Sequence, residues 1–229
     1  AGVEMGKFFA DKGIKTAAIY GAFIPNPMHV YRTAGVLAGL GLSYGGATTE
    51  EDVVGLIFAD QGIDLSKISG DIKIVSYLQG YGDTTTDEIN AAIQAAPEAF
   101  ISVGMATTFF TQQLNAAGIE FSDIDSFTKS NGEAITNGKL VYLAGKYSSS
   151  VGPAFALVMN AINGNVIRDA QGNAVSLSQN YQVATDSETF DKFYKNDNGD
   201  NPIYSRDTLD QIIGDTVTFD TINEVVASN

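Results

Sequence analysis

Residues 13–40 read GIKTAAIYGAFIPNPMHVYRTAGVLAGL. The apolar run at 16–20 stops at Gly21 and a proline-containing loop covers 23–27. Residues 28–40 then place Val30, Ala34, Leu37 and Ala38 at the recurrence of a buried helix face. A short β-rich run followed by a loop and a helix is the opening of a βαβ unit, which predicts a parallel strand with a loop at its carboxyl end.

The alternation continues on both sides of this stretch. Upstream, residues 3–12 have helical spacing and lead through Gly13 into the strand. Downstream, strands are expected at 72–78, 99–103, 124–127 and 140–144. Helices are expected at 86–95 and 107–117, closed by the Pro97 and Gly118 punctuation that helix ends favour. Residues 48–69 open on Thr49-Glu50-Glu51-Asp52, an acidic helix start, and read as an insertion before the next strand. The pattern predicts an α/β fold, a doubly wound parallel sheet with helices on both faces.

Beyond residue 147 the pattern changes. A helix at 151–162 ends on Asn163-Gly164, and a hairpin is expected with its turn at 169–173 and strands at 165–168 and 174–177. From 186 onward Asp186, Ser205 and Thr218 read as helix N-caps around a polar loop at 196–202. The expected organisation is an α/β lobe over 1–147, a crossing helix and hairpin over 148–185, and a helical C-terminal extension over 186–229.

Composition narrows function. A hydrophobic share of 44% is enough to fill a core, while 27 acidic against 13 basic residues give a formal charge of −14, which repels phosphate backbones and argues against nucleic acid as a partner. There is no cysteine, hence no disulfide and no thiolate chemistry. No apolar run reaches the roughly 18 residues of a membrane span. The chain opens on what reads as a helix already under way and without an export signal, so a preceding segment is expected.

In open parallel sheets ligands bind beyond the carboxyl ends of the strands, where loops and helix N-termini converge. That rule selects residues 21–26, 79–81, 104–105, 128–130 and 146–147. With Arg32 on the helix after the first strand, the candidate ligand-binding residues are Phe23, Asn26, Arg32, Gln79, Tyr81, Met105, Lys129, Lys146 and Tyr147. Aromatic and hydrogen-bonding groups with few carboxylates suit a polar neutral ligand such as a sugar, and the arginine fork can hold a hydroxyl pair or a carboxylate.

Catalytic chemistry finds no support. His29 is the only histidine and no Gly-x-Ser-x-Gly elbow accompanies it. Asn196-Asp197-Asn198-Gly199-Asp200-Asn201 lacks the glycine and bidentate glutamate of a calcium loop, and no nucleotide-binding glycine motif occurs. No cofactor, metal or enzymatic role is expected.

Ala1-Gly2, the strand at 13–20 and the Arg32-Thr33-Ala34-Gly35-Val36 helix resemble, in that order, the start of the second lobe of periplasmic sugar-binding proteins of the ribose-binding type. Asn137-Gly138-Lys139-Leu140, residues 143–147 and the helix 151–163 with Gly164 are similar to that family's last hinge-proximal strand and following helix. The tail from Ala184 is similar to extensions on lipid-anchored members.

The resemblance implies an extracytoplasmic, lipid-anchored solute receptor that delivers a small molecule, in this family a sugar, to the membrane permease of an ABC importer. The family's first lobe is not in this sequence. The same fold serves the effector-binding core of lactose-repressor-type regulators, which is the alternative. In the family the arginine matching Arg32 contacts the sugar, whereas Val103-Gly104-Met105, Phe127-Thr128-Lys129 and Lys146 stand where other polar contacts are usual. With its first lobe absent, the face Val151, Phe155, Val158, Met159 and Ile162 loses its family cover. It is expected to dock on the remaining lobe, pair with a second copy as a homodimer, or stay exposed.

Overall fold

A computed structural model describes residues 1–23, 26–80, 86–199 and 202–228; Tyr81 and parts of the loops 23–27 and 196–202 lie outside the described residues. The strands are β1 (Thr16–Tyr20), β2 (Ser43–Tyr44), β3 (Ile68–Ser69), β4 (Lys73–Leu78), β5 (Ala99–Ser102), β6 (Glu120–Ile124), β7 (Leu140–Gly145) and β8 (Gln182–Ala184). The helices are α1 (Gly2–Asp11), α2 (Pro27–Gly39), α3 (Glu50–Asp60), α4 (Thr86–Gln94), α5 (Ala106–Phe109), α6 (Thr111–Ala117), α7 (Lys129–Asn137), α8 (Gly152–Ile162), α9 (Ser187–Asn198), α10 (Arg206–Asp210) and α11 (Phe219–Ala227).

Six strands form one sheet in the order β4-β1-β5-β6-β7-β8, parallel except for β8, which runs antiparallel to β7. From β1 the chain steps to one side, into β4, and then back across to β5, β6 and β7. Right-handed crossovers therefore put α2 and α3 on one face and α4 to α7 on the other, the doubly wound arrangement the sequence predicts. Strand β1 is interior to the sheet, between β4 and β5, and its Ala17, Ala18, Ile19 and Tyr20 are fully buried, as a strand covered on both faces must be.

Two glycine-lined helix faces meet on the α2 side. A Cβ on Gly2 would lie 2.2 Å from the Arg32 carbonyl oxygen, one on Gly6 2.4 Å from the Val36 oxygen, and one on Gly39 2.2 Å from the Val3 oxygen. Backbone meets backbone there, with no room for a methyl group.

Several elements depart from the expectation. Strand β6 begins at Glu120 and ends at Ile124, where the sequence pattern had placed the start. Its Ser122 and Asp123 are fully buried and look unlike strand-core residues, yet Ser122 Oγ accepts from the Ser102 amide at 3.1 Å and Asp123 accepts from Thr107. The helix expected over 107–117 is broken at Phe110, whose ring turns inward edge-on to Tyr20 at 4.9 Å. The hairpin reduces to one bridge between Arg168 and Ala174, and the segment 48–69 forms helix α3 and then β3, which pairs antiparallel with β2 from before the segment. Strand β8 had no counterpart in the sequence reading.

The three N-caps hold: Asp186, Ser205 and Thr218 each accept from the amide three residues on. The tail divides between two cores. Phe190 of α9 packs against Phe127 in the main core, whereas Ile212, Ile222 and Val226 join Ala156 and Ile167 in a small second one. Asn160, buried on α8, locks that second core by donating to the Ile212 carbonyl and accepting from the Gly214 amide, both at 2.8 Å.

The expected docking of the outer α8 face on this α/β lobe is overturned. Val151, Phe155, Val158 and Ile162 are 68%, 49%, 56% and 71% exposed, because Asn160 and Ala156 turn the opposite face of α8 inward.

The glycine seam makes opposed predictions for two substitutions. Gly39→Ala is expected to cost about 2–3 kcal/mol by overpacking the α1–α2 contact. Gly55→Ala, inside α3 with nothing within 4 Å of the new methyl group, is expected to stabilise by about 0.5–1 kcal/mol through helix propensity. Urea unfolding of the two variants checks both signs.

Candidate functional site

Helix α2 starts over the carboxyl end of β1. Pro27 fixes its first turn and Asn26 caps it, the side chain accepting from the Met28 amide at 3.0 Å. His29 follows one turn in, 2% exposed, with Nδ1 3.1 Å from the Phe23 amide and 3.2 Å from the Phe23 oxygen. Burial pulls the imidazole below its ordinary value of 6.5; the Phe23 contact opposes this and the Arg32 charge adds to it.

Arg32 comes next on the same face. Its Nη1 donates to the Val103 carbonyl at the end of β5 at 2.9 Å, and its Nη2 donates to the Tyr181 hydroxyl at 2.6 Å, across 149 residues of sequence. Tyr181 precedes β8 and so stands beside the end of β7, where Lys146 places its ammonium 5.2 Å from the same ring; the Arg32 guanidinium lies 5.5 Å from it. The ends of β1, β5 and β7 thus share one mouth, spanned by Arg32, Tyr181 and Lys146.

The floor of the mouth is shaped by backbone. A Cβ on Gly104 would come within 3.6 Å of Arg32 Nη1 and 3.8 Å of His29 Nε2, so a side chain there would fill the space under the arginine. Ala22 after β1 and Met105 after β5 adopt left-handed φ values of 52° and 68°, a conformation that costs a non-glycine residue about 1 kcal/mol and recurs at binding sites. The turn at Met105 is pinned from below by Asp123, which accepts from the Thr107 amide and hydroxyl, both at 2.7 Å. Burial pushes that carboxyl up from the usual range, and the Thr107 hydrogen bonds pull the other way.

The structure brings some of the expected site residues together and separates others. Arg32, Lys146, Met105, Phe23 and Asn26 belong to the mouth, Phe23 with its ring half exposed. Gln79 turns toward Tyr77 and Gln61 in a separate cleft of about 480 Å³ beside the edge strand β4, lined also by Asp60, Asp64 and Glu88. Lys129 lines a groove between α7 and α9. Tyr147 is buried in an aromatic cluster, 5.8 Å from Phe127 and 6.2 Å from Phe193.

Tyr181 carries no signal in the sequence, because the strand it leads into has three residues and shows no periodicity. The end of β6 lies at Ile124, three residues before the expected 127. The residue that follows that strand is Asp125, whose carboxylate accepts from the Ser126 amide at 2.8 Å and from Asn131 Nδ2 at 3.4 Å. Among the described residues no three histidine, aspartate or glutamate side chains converge on a metal-sized space, and no helix is long and apolar enough to cross a membrane.

A solved structure shares this architecture. A periplasmic solute-binding protein of an ABC transporter from Actinobacillus succinogenes 130z, with bound D-allose, superposes with a TM-score of 0.50 at 16% identity, over 84% of this chain and 59% of that one. The fold is that of one lobe of a periplasmic-binding-protein-like molecule. A putative branched-chain amino acid ABC transporter protein from Rhodospirillum rubrum covers 99% of this chain and 53% of its own at 12% identity and a TM-score of 0.39. The chain therefore spans little more than half the length of either. No protein-family model and no curated protein matches the sequence.

His29 gives the site a pH signature. Its folded pKa is depressed, so its contribution to stability is complete above the ordinary imidazole value and is lost as pH falls through the folded one. Thermal melts from about pH 7 to about pH 5 are expected to fall less steeply in His29→Gln than in the parent chain.

Proposed function

We propose that this chain is the ligand-holding second lobe of an extracytoplasmic solute receptor, and that it presents a sugar-sized molecule to the membrane permease of an ABC importer. The observation that carries this reading is the bridge from Arg32 to Val103 and Tyr181, which fixes a guanidinium fork over strand ends at the topological switch between β1 and β5. The bound D-allose of the Actinobacillus protein supports a sugar as the solute class. Phe23, Asn26, Arg32, Met105 and Lys146 form the solute-facing set in this reading. An enzymatic role is disfavoured in this reading, because among the described residues the mouth is spanned by the cations Arg32 and Lys146 and by Tyr181.

An open mouth on one lobe supplies half of a clamshell. Affinity in such a site comes from excluding water between two lobes, so we place a first lobe opposite this mouth in the working receptor. The exposed face of α8 is then the natural seat for that lobe or for a second copy of this chain. A lipid anchor ahead of Ala1 would hold the receptor at the membrane. The regulator reading would need a DNA-binding head in place of an anchor, and no observation on this chain favours it.

Two outcomes are expected. Calorimetric titration of this chain with a panel of neutral sugars gives no sub-micromolar affinity. In backbone-amide NMR spectra, millimolar D-allose shifts residues 21–23, 104–106 and 145–147, and Arg32→Ala weakens that response about tenfold, the value of one lost charge-assisted hydrogen bond. Shifts confined to the cleft around Gln79 and Asp60 would overturn the assignment of the site.

A further inference from the structure

We infer that the solute held at this mouth carries a carboxylate, and that a sugar acid is preferred to the neutral sugar of the same shape; this rests on the solute-binding reading above. The argument is one of donors and charge. Arg32 uses one nitrogen on Val103 and one on Tyr181, which fixes the guanidinium plane and spends two of its five N–H donors. By accepting from a cation at 2.6 Å, the Tyr181 oxygen turns its own proton elsewhere, so this hydroxyl offers a donor. Lys146, exposed on the rim, adds an ammonium with donors only.

The spanning groups of the mouth are thus donors that carry two formal positive charges. Neither Arg32 nor Lys146 has a carboxylate within ion-pair distance among the described residues. Asp125, on the same rim, is engaged by the Ser126 amide and Asn131, and Asp123 lies buried under the turn. A neutral sugar offers hydroxyls that both donate and accept, and would leave half its hydrogen-bonding capacity unanswered here. A carboxylate only accepts, and it answers Arg32, Tyr181 and Lys146 together.

The rest of the surface sharpens the contrast. The chain carries a net charge of −14, and the cleft beside β4 is lined by Asp60, Asp64 and Glu88. Two cations that share one tyrosine ring repel each other, and an anion bound beside them offsets that repulsion.

The test compares D-glucuronate with D-glucose on the chain as it stands, following the backbone amides of residues 21–23, 104–106 and 145–147 by NMR. D-Glucuronate is expected to bind at least about tenfold more tightly. That preference should collapse in Lys146→Gln and shrink with added salt. If D-glucose moves the same amides at equal or lower concentration, the acid preference is overturned while the solute-binding reading stands. If acetate at matched ionic strength reproduces the glucuronate response, the mouth attracts adventitious anions only and the inference is overturned. If neither sugar perturbs these residues at millimolar concentration, both the inference and the solute-binding reading fall.

Discussion

The close approach of α1 and α2 sets where everything at the mouth can stand. Gly2 and Gly6 on one helix and Gly35 and Gly39 on the other let the two backbones touch, and the carbonyl pressed against Gly2 is that of Arg32 itself. A methyl group at Gly2 would push the arginine's own peptide. The guanidinium reaches the Val103 carbonyl at 2.9 Å because its helix is held at a depth that larger side chains would forbid. The seam is a packing contact whose consequence is electrostatic, since it fixes the height of a cation above the end of β5.

Below the arginine, a polar network replaces what would otherwise be apolar packing. Ser102, Ser122 and Asp123 are fully buried in the sheet, and each is hydrogen-bonded. Their role is positional: Asp123 grips Thr107, the chain reverses at Met105 in a left-handed conformation, and Gly104 leaves the space under Arg32 open. Burying a carboxyl is costly unless its lone pairs are met, and the amide and hydroxyl of Thr107 meet them.

The far side of the molecule has a different logic. Helix α8 is covered on one side by the small second core and bare on the other, with no charged residue along its length. The tail helices complete the covered side, and α9 adds Phe190 to the main core, so the C-terminal segment stabilises the lobe it follows.

Sequence by itself determined whatever depends on local periodicity and capping. The strand at 16–20, the helix that follows it, the order of the parallel strands' carriers along the chain and the N-caps at Asp186, Ser205 and Thr218 are short-range facts, written in residues that touch within a turn or two. Arg32 was legible as a candidate because its helix begins at a strand end. Only the tertiary structure decided the rest. Strand β6 is built from serine and aspartate whose burial makes sense once β5 and α5 are in place. Tyr181 joins the mouth through a strand of three residues paired with β7, and Tyr147, one residue past Lys146, turns into an aromatic core instead of toward a ligand. The physical reason is common to all three: their environments are made by partners distant in the chain, and a polar or aromatic residue does not reveal from its neighbours in sequence whether its partner will be a protein group, the core or a solute.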